Sequence, residues 1–200
     1  MARSYRTHRR TAAVDQRRAA AVDATRAILF EKGFDAVTLQ AVADRTGVSL
    51  KSIVRYFGTR EGLFRACMRA SIAREESSRV ASPGDVAAIA HTLAQRYRPM
   101  ADWIVHNAHI EFAYPVMEEW MANVRRSHRD WLATAFAPWL PRKGPVRERR
   151  LMALFWATEV RSWWAVSSAF GHGPATAEAV MRETLDALVA SWTMNKRRNR

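Results

Sequence analysis

A single cysteine, Cys67, stands among 200 residues. No disulfide can close inside one chain, which excludes the stapled scaffolds of small secreted domains. Long apolar runs are missing too. No stretch reaches the roughly 18 to 20 uninterrupted apolar residues of a membrane-spanning helix, and the most apolar segment, LMALFWATEVRSWWAV, is broken by Glu159 and Arg161. The N-terminus MARSYRTHRRTAAVDQRR is basic but lacks the apolar core of a secretory signal. These absences predict a cytoplasmic protein with no membrane partner.

Catalytic signatures are also lacking: there is no glycine-rich phosphate loop, nucleophile elbow, HExxH or cysteine pair. The one suggestive cluster, HNAHIE, carries His106, His109 and Glu111. Metal ligands on a helix recur at i and i+4 so that they share a face, and this spacing turns Glu111 away from His106. The sequence therefore predicts no enzyme, no metal and no cofactor.

Acidic residues are scarce relative to basic ones: 19 Asp and Glu against 32 Lys and Arg, a net charge of +13. The excess is uneven. Residues 1–70 carry 14 basic and 6 acidic side chains, while residues 71–200 carry 18 and 13. An anionic partner for the N-terminal third is the expectation; a generally arginine-rich chain would show the charge as well.

What is present is helical periodicity almost everywhere, with no period-2 alternation flanked by hairpin turns. All-α is the predicted fold class. Val22, Ala24, Ala27, Ile28 and Phe30 pattern a first helix that Gly33 ends. Thr38 opens a short second helix closed by Gly47, and Ser49 is the predicted N-cap of a third, TGVSLKSIVRYF, with Val48 and Ile53 placed as a hydrophobic staple. Thr59 caps a fourth, striped by Leu63, Phe64, Cys67 and Met68. The chain then reaches SSRVASPGD, the expected boundary. Beyond it lie longer helices and all eight tryptophans, with one helix expected from about 147 to 168 and another from about 174 to 192.

Two short helices joined at a glycine and braced on both sides pattern a helix-turn-helix. Ile53 and Phe57 anchor the second of them, so Leu50, Lys51, Val54 and Arg55 face outward together. One face of a helix is all that the major groove admits. Arg55 suits a bidentate contact to guanine, Lys51 lies beside it, and Leu50 and Val54 suit thymine methyls or sugars. Thr38, Gln40, Ser49, Ser52, Tyr56 and Arg60 complete the expected DNA-contacting set, donating mainly to phosphates.

The segment ILFEKGFDAVTLQAVADRTGVSLKSIVRYFGTREGLFRACM, residues 28–68, resembles the N-terminal domain of the TetR family of transcriptional regulators. The resemblance lies in the Glu31-Lys32-Gly33-Phe34 helix end, Thr38, Ala43, Gly47-Val48-Ser49, Tyr56-Phe57 and the run from Thr59 to Phe64. Leu50, Val54, Arg55 and Tyr56 depart from the family's common choices, and all four fall on or beside the DNA-facing surface. The resemblance implies a three-helix DNA-binding domain followed by a larger helical domain for effector binding and dimerisation. The implied layout is a basic arm at 1–14, a DNA-binding domain at 15–75 with its motif at about 38–57, an effector and dimer domain at 76–194, and a basic tail at 195–200.

It also implies a repressor that a small apolar or aromatic effector releases from a near-palindromic double-stranded DNA operator. Trp103, His109, Glu111, Met117, Trp120, Met121, Phe155, Trp156, Glu159 and Trp163 are the expected effector-site residues. Met181, Leu185, Leu188, Val189 and Trp192, an i, i+4, i+7, i+8, i+11 stripe, are the expected homodimer interface. The basic arm, with Arg3, Arg6, Arg9 and Arg10, is expected to be disordered until DNA is bound. The alternative is a helical small-molecule-binding or scaffold protein whose DNA binding is incidental and blind to sequence.

Overall fold

A computed structural model describes residues 2–79 and 83–198, with side chains placed over 11–74, 77, 79 and 83–194. Val80, Ala81 and Ser82, the centre of the expected boundary, and Asn199 and Arg200 of the basic tail lie outside the described residues. Every regular element among the described residues is helical. The chain divides into two compact units, Met1–Glu75 with Ala113–Trp120, and Glu76–Phe112 with Met121–Arg200. The return of residues 113–120 to the first unit was not expected from sequence.

In the first unit α1 runs Ala2–Lys32, followed by α2 (Leu39–Thr46), α3 (Leu50–Phe57) and α4 (Arg60–Ser78). The expected disordered arm is instead the opening turns of α1. No glycine or proline precedes Gly33, and alanine and arginine, both strong helix formers, recur throughout. Burial begins only at Ala21, from which Ala21, Ala24 and Ile28 form one inward stripe. Gly33 stops the helix with φ of 86°, a left-handed conformation that a Cβ disfavours.

Phe34, Val37, Val42, Ile53, Leu63, Phe64 and Cys67 fill the core below the short helices. Phe34 stacks on Phe64 with ring centroids 4.5 Å apart. Burial pushes the Cys67 thiol up to about 11, so it acts as a small apolar filler rather than a nucleophile. Residues 113–120 dock on this unit through Tyr114, whose ring lies 4.1 Å from that of Phe34 and whose hydroxyl donates to Asp35 at 2.8 Å. Glu119 accepts from Arg65 at 3.0 Å.

The second unit contains α5 (Val86–Tyr97), α6 (Ala101–His106), most of α7 (Ile110–Ala113) and of α8 (Pro115–Ala135), then α9 (Pro145–Ala157), α10 (Val160–Trp164) and α11 (Gly173–Arg198). Its core is built by Ile89, Leu93 and Tyr97 of α5, Leu132 and Phe136 at the end of α8, Leu151 and Leu154 of α9, and Met181 and Leu185 of α11. α4 and α8 each start in the first unit and end among residues of the second.

Two sequence expectations change here. The helix expected over 147–168 breaks at Thr158: the Tyr97 hydroxyl takes up the Thr158 carbonyl at 2.5 Å, and Glu159 caps the next helix by accepting from the Arg161 amide at 2.5 Å. Past α10 the backbone widens into a π-turn over Ala165–Ala169, with the Phe170 amide bonded to the Ala165 carbonyl. The second change concerns the expected dimer stripe. Met181 and Leu185 are buried inside the protomer, and Leu188, Val189 and Trp192 pack against the same core. That stripe is the inner face of α11, so none of its five residues heads a free surface.

Candidate nucleic-acid interface

The interface is built from caps and one anchor. Thr38 accepts from the Ala41 amide at 2.9 Å and starts α2. Gly47, with φ of 68°, ends it, and the Thr46 hydroxyl bonds back to the Val42 carbonyl at 2.7 Å beneath the turn. Ser49 accepts from the Ser52 amide at 3.3 Å and starts α3. The direction of α3 is then set by Ile53, which is 0% exposed, while Leu50 and Val54 are 40% and 43% exposed. Lys51 and Arg55 are exposed on the same side. The four residues expected to face outward do so together.

The charges of this face are uncommitted. Among the described residues neither Lys51 nor Arg55 pairs with a carboxylate, and the Arg55 guanidinium lies 5.3 Å from the centroid of the adjacent Tyr56 ring. Other arginines of the unit are taken up. Arg45 makes a bidentate pair with Glu31 at 2.6 and 2.8 Å, joining the ends of α1 and α2. These hydrogen bonds hold the Glu31 carboxyl below the usual carboxylate range. Arg65 meets Glu119 and Arg74 meets Asp23.

Two residues expected to donate to phosphates are placed otherwise. Arg60 turns into the domain: Nε donates to the Val37 carbonyl at 2.7 Å, Nη2 to the Phe34 carbonyl at 2.6 Å, and the guanidinium lies 4.3 Å from the Phe34 ring centroid. It clamps the loop between α1 and α2, whose free carbonyls need donors. The Tyr56 hydroxyl is buried and has no partner among the described residues. Gln40 spends its amide hydrogens on Asp44 at 2.6 Å, one helical turn on. Thr38, Ser49 and Ser52 remain at the interface as caps: Ser49 Oγ and Ser52 Oγ are 3.0 Å apart.

The expected effector residues do not gather in one place. Met117 and Trp120 belong to the first unit, and the others to the second. Trp156 is 77% exposed, so it lines no interior. His109 is exposed. Glu111 is buried but paired with Arg125 at 2.6 Å. Glu159 is spent as a helix cap. Trp163 is buried, whereas Trp103, Met121 and Phe155 are half-buried. His128 and Thr158, both buried in the second unit, were not singled out by sequence; a lone histidine on an apolar helix face gives no signal of its own.

A capped helix-turn-helix with an exposed, unpaired cationic face and a separate helical unit defines a DNA-binding regulator. Known proteins agree. Residues 21–67 match the profile described as bacterial regulatory proteins, tetR family. The chain is 29% identical over 199 residues to the HTH-type transcriptional regulator BetI of Burkholderia ambifaria, covering 88% of this chain and 95% of that one. Its fold is similar to that of a transcriptional regulator from Rhodococcus sp. Rha1, with a TM-score of 0.66 at 18% identity over 87% and 96% of the two chains. A candidate TetR-family regulator from Mesorhizobium loti MAFF303099 gives 0.59 at 14% identity over 89% and 97%. The chain belongs to the TetR family of transcriptional regulators, a family that binds DNA and is not enzymatic. Among the described residues no helix is long and apolar enough to cross a membrane.

Proposed function

We propose that the protein is a ligand-released repressor that reads a near-palindromic operator as a homodimer. The observation that carries this reading is the outward face of α3, where Leu50, Lys51, Val54 and Arg55 are exposed and the two cations are unpaired. In a major groove Arg55 reaches guanine O6 and N7, Leu50 and Val54 meet thymine methyls, and Lys51 adds a phosphate or base-edge contact. Thr38, Ser49 and Ser52 supply hydroxyl protons to phosphates. One helix of eight residues contacts too few base pairs to be selective, so a second copy reading a second half-site is required.

The dimer surface moves from the inner stripe of α11 to the outer faces of the last helices. Met152 and Trp156 on α9 are 48% and 77% exposed and stand one turn apart, and Val180 on α11 is 41% exposed. Val180, Thr184, Ala187 and Ser191 recur at helical spacing along an exposed side of α11. Exposed large apolar groups arranged this way suit a self-complementary contact. The effector acts through the two helices that the units share, α4 and α8. By linkage, effector and operator weaken each other's binding by one factor, about 5- to 150-fold for 1 to 3 kcal/mol of coupling.

The reading is tested by footprinting the DNA that flanks the protein's own gene. It expects two protected half-sites centred about one helical turn apart or a multiple of that, related by a dyad. Trp156→Glu with Met152→Glu is expected to give folded monomers that protect nothing at nanomolar protein. Uniform protection of any duplex supports incidental binding instead.

A further inference from the structure

The second unit holds a buried hydrogen-bonding system that DNA reading does not use. His128 on α8 is 6% exposed, and its Nε2 lies 2.9 Å from the Thr158 hydroxyl oxygen. The threonine fixes the direction of this bond. Its own proton goes to the Leu154 carbonyl 2.7 Å away, so its oxygen accepts and His128 Nε2 must carry the ring hydrogen. Nδ1 of the neutral ring is then a bare acceptor, and among the described residues nothing donates to it.

The ring keeps this form at ordinary pH, because burial and the neighbouring positive charges of Arg79 and Arg96 lower the His128 pKa to about 3. Aromatic rings surround it. Trp131 stacks at 6.2 Å between centroids and Phe155 meets it edge-on at 5.4 Å. A second unmet atom belongs to the same network. Tyr97 donates to the Thr158 carbonyl, Trp163 packs edge-on against the Tyr97 ring at 6.0 Å, and the buried indole N–H of Trp163 has no acceptor among the described residues. Native interiors seldom leave such groups without partners, and one acceptor and one donor left in a single aromatic cluster point to a ligand that supplies both.

We propose that this cluster is the polar recognition point for the effector, and that the ligand is an aromatic compound bearing a hydroxyl. Its O–H donates to His128 Nδ1, its oxygen accepts from Trp163 Nε1, and its ring lies among Trp131, Phe155 and Tyr97. The inference rests on the effector-released reading above. A hydroxyl is both donor and acceptor; a carboxylate, an ether or a hydrocarbon has no proton to give to Nδ1. Specificity therefore hangs on one proton, the situation in which a buried polar group rejects the analogue that lacks it.

The test uses matched pairs, phenol with anisole and naphthol with methoxynaphthalene, titrated calorimetrically into the full chain and scored in parallel by thermal unfolding. The hydroxyl member of each pair is expected to bind and raise Tm, with its methyl ether weaker by at least about tenfold. His128→Phe is expected to bind the two members alike; it keeps an aromatic ring in place and leaves the Thr158 bond to Leu154 intact. Trp163→Phe, the second variant, is expected to lose affinity for the hydroxyl compounds while their ethers are unaffected. Equal affinity of hydroxyl compound and ether for the unmodified protein, or binding of neither, overturns the proposal. DNA affinity is measured separately with the same compounds. A hydroxyl compound that binds through His128 yet leaves DNA affinity unchanged upholds the recognition site and overturns the effector role.

Discussion

Gly62 faces the carbonyl oxygen of Phe57 so closely that a Cβ at Gly62 would stand 2.0 Å from it. The contact joins the last residue of the recognition helix to the first turn of α4, where Thr59 also accepts from the Gly62 amide at 3.1 Å. The oxygen belongs to the backbone and cannot swing aside. Gly62→Ala therefore has to part α3 from α4, at a cost of about 1 to 3 kcal/mol or more. Urea unfolding measures it. An alanine variant as stable as the parent would mean that the two helices approach less closely.

Arg60→Ala is expected to act on folding before it acts on DNA. It removes charge-assisted hydrogen bonds to the Val37 and Phe34 carbonyls. Such bonds contribute about 1.5 to 3 kcal/mol each when partly buried, and here the side chain is 30% exposed, so about 2 to 4 kcal/mol in total is the expected loss. A variant that keeps its unfolding midpoint but loses affinity for every duplex would restore Arg60 to the phosphate-contacting set.

Tyr56→Phe tests the other corrected residue. The hydroxyl is buried without a partner among the described residues. Its removal relieves a desolvated group and is expected to leave stability unchanged or raised by about 1 kcal/mol, with DNA affinity retained. A tenfold loss of DNA affinity would show that the hydroxyl turns outward to a phosphate.

These corrections mark what was legible. Thr38, Gly47, Ser49 and Thr59 announce helix ends because capping depends on neighbours three residues away, and each caps or ends a helix as expected. The outward set of α3 followed from the spacing of Ile53 and its neighbours. Arg60 was misread because its partners, Phe34 and Val37, lie 26 and 23 residues away and are backbone carbonyls, which no side-chain pattern reveals. The inner stripe of α11 was read as a dimer face because periodicity finds an apolar face without saying which partner covers it. Tyr114 shows the same limit: its docking on Phe34 and Asp35 crosses about 80 residues of sequence, a separation that local patterns cannot see.

His128 predicts a pH dependence. Its folded-state pKa, lowered by burial and by Arg79 and Arg96 to about 3, lies below that of an unfolded histidine. Between the two values the unfolded chain binds a proton that the folded chain refuses. The contribution is therefore fully present above about pH 6.5 and falls as the pH drops towards 3, by on the order of 1.4 kcal/mol per unit. Urea midpoints at about pH 7 and about pH 5 should differ in the unmodified protein, and part of that difference should vanish in His128→Phe. An identical acid response in both proteins would mean that His128 takes up its proton while folded.

The central claim, that the outward face of α3 reads sequence, is tested most directly by one titration. Arg55→Ala and the unmodified protein are compared by fluorescence anisotropy against the duplex that flanks the protein's own gene and against its scrambled counterpart at one salt concentration. The expected result is a loss of about 1 to 3 kcal/mol on the native duplex, little change on the scrambled one, and relaxed preference at a single base pair per half-site. Equal losses on both duplexes would contradict it, leaving Arg55 as one more positive charge near the DNA.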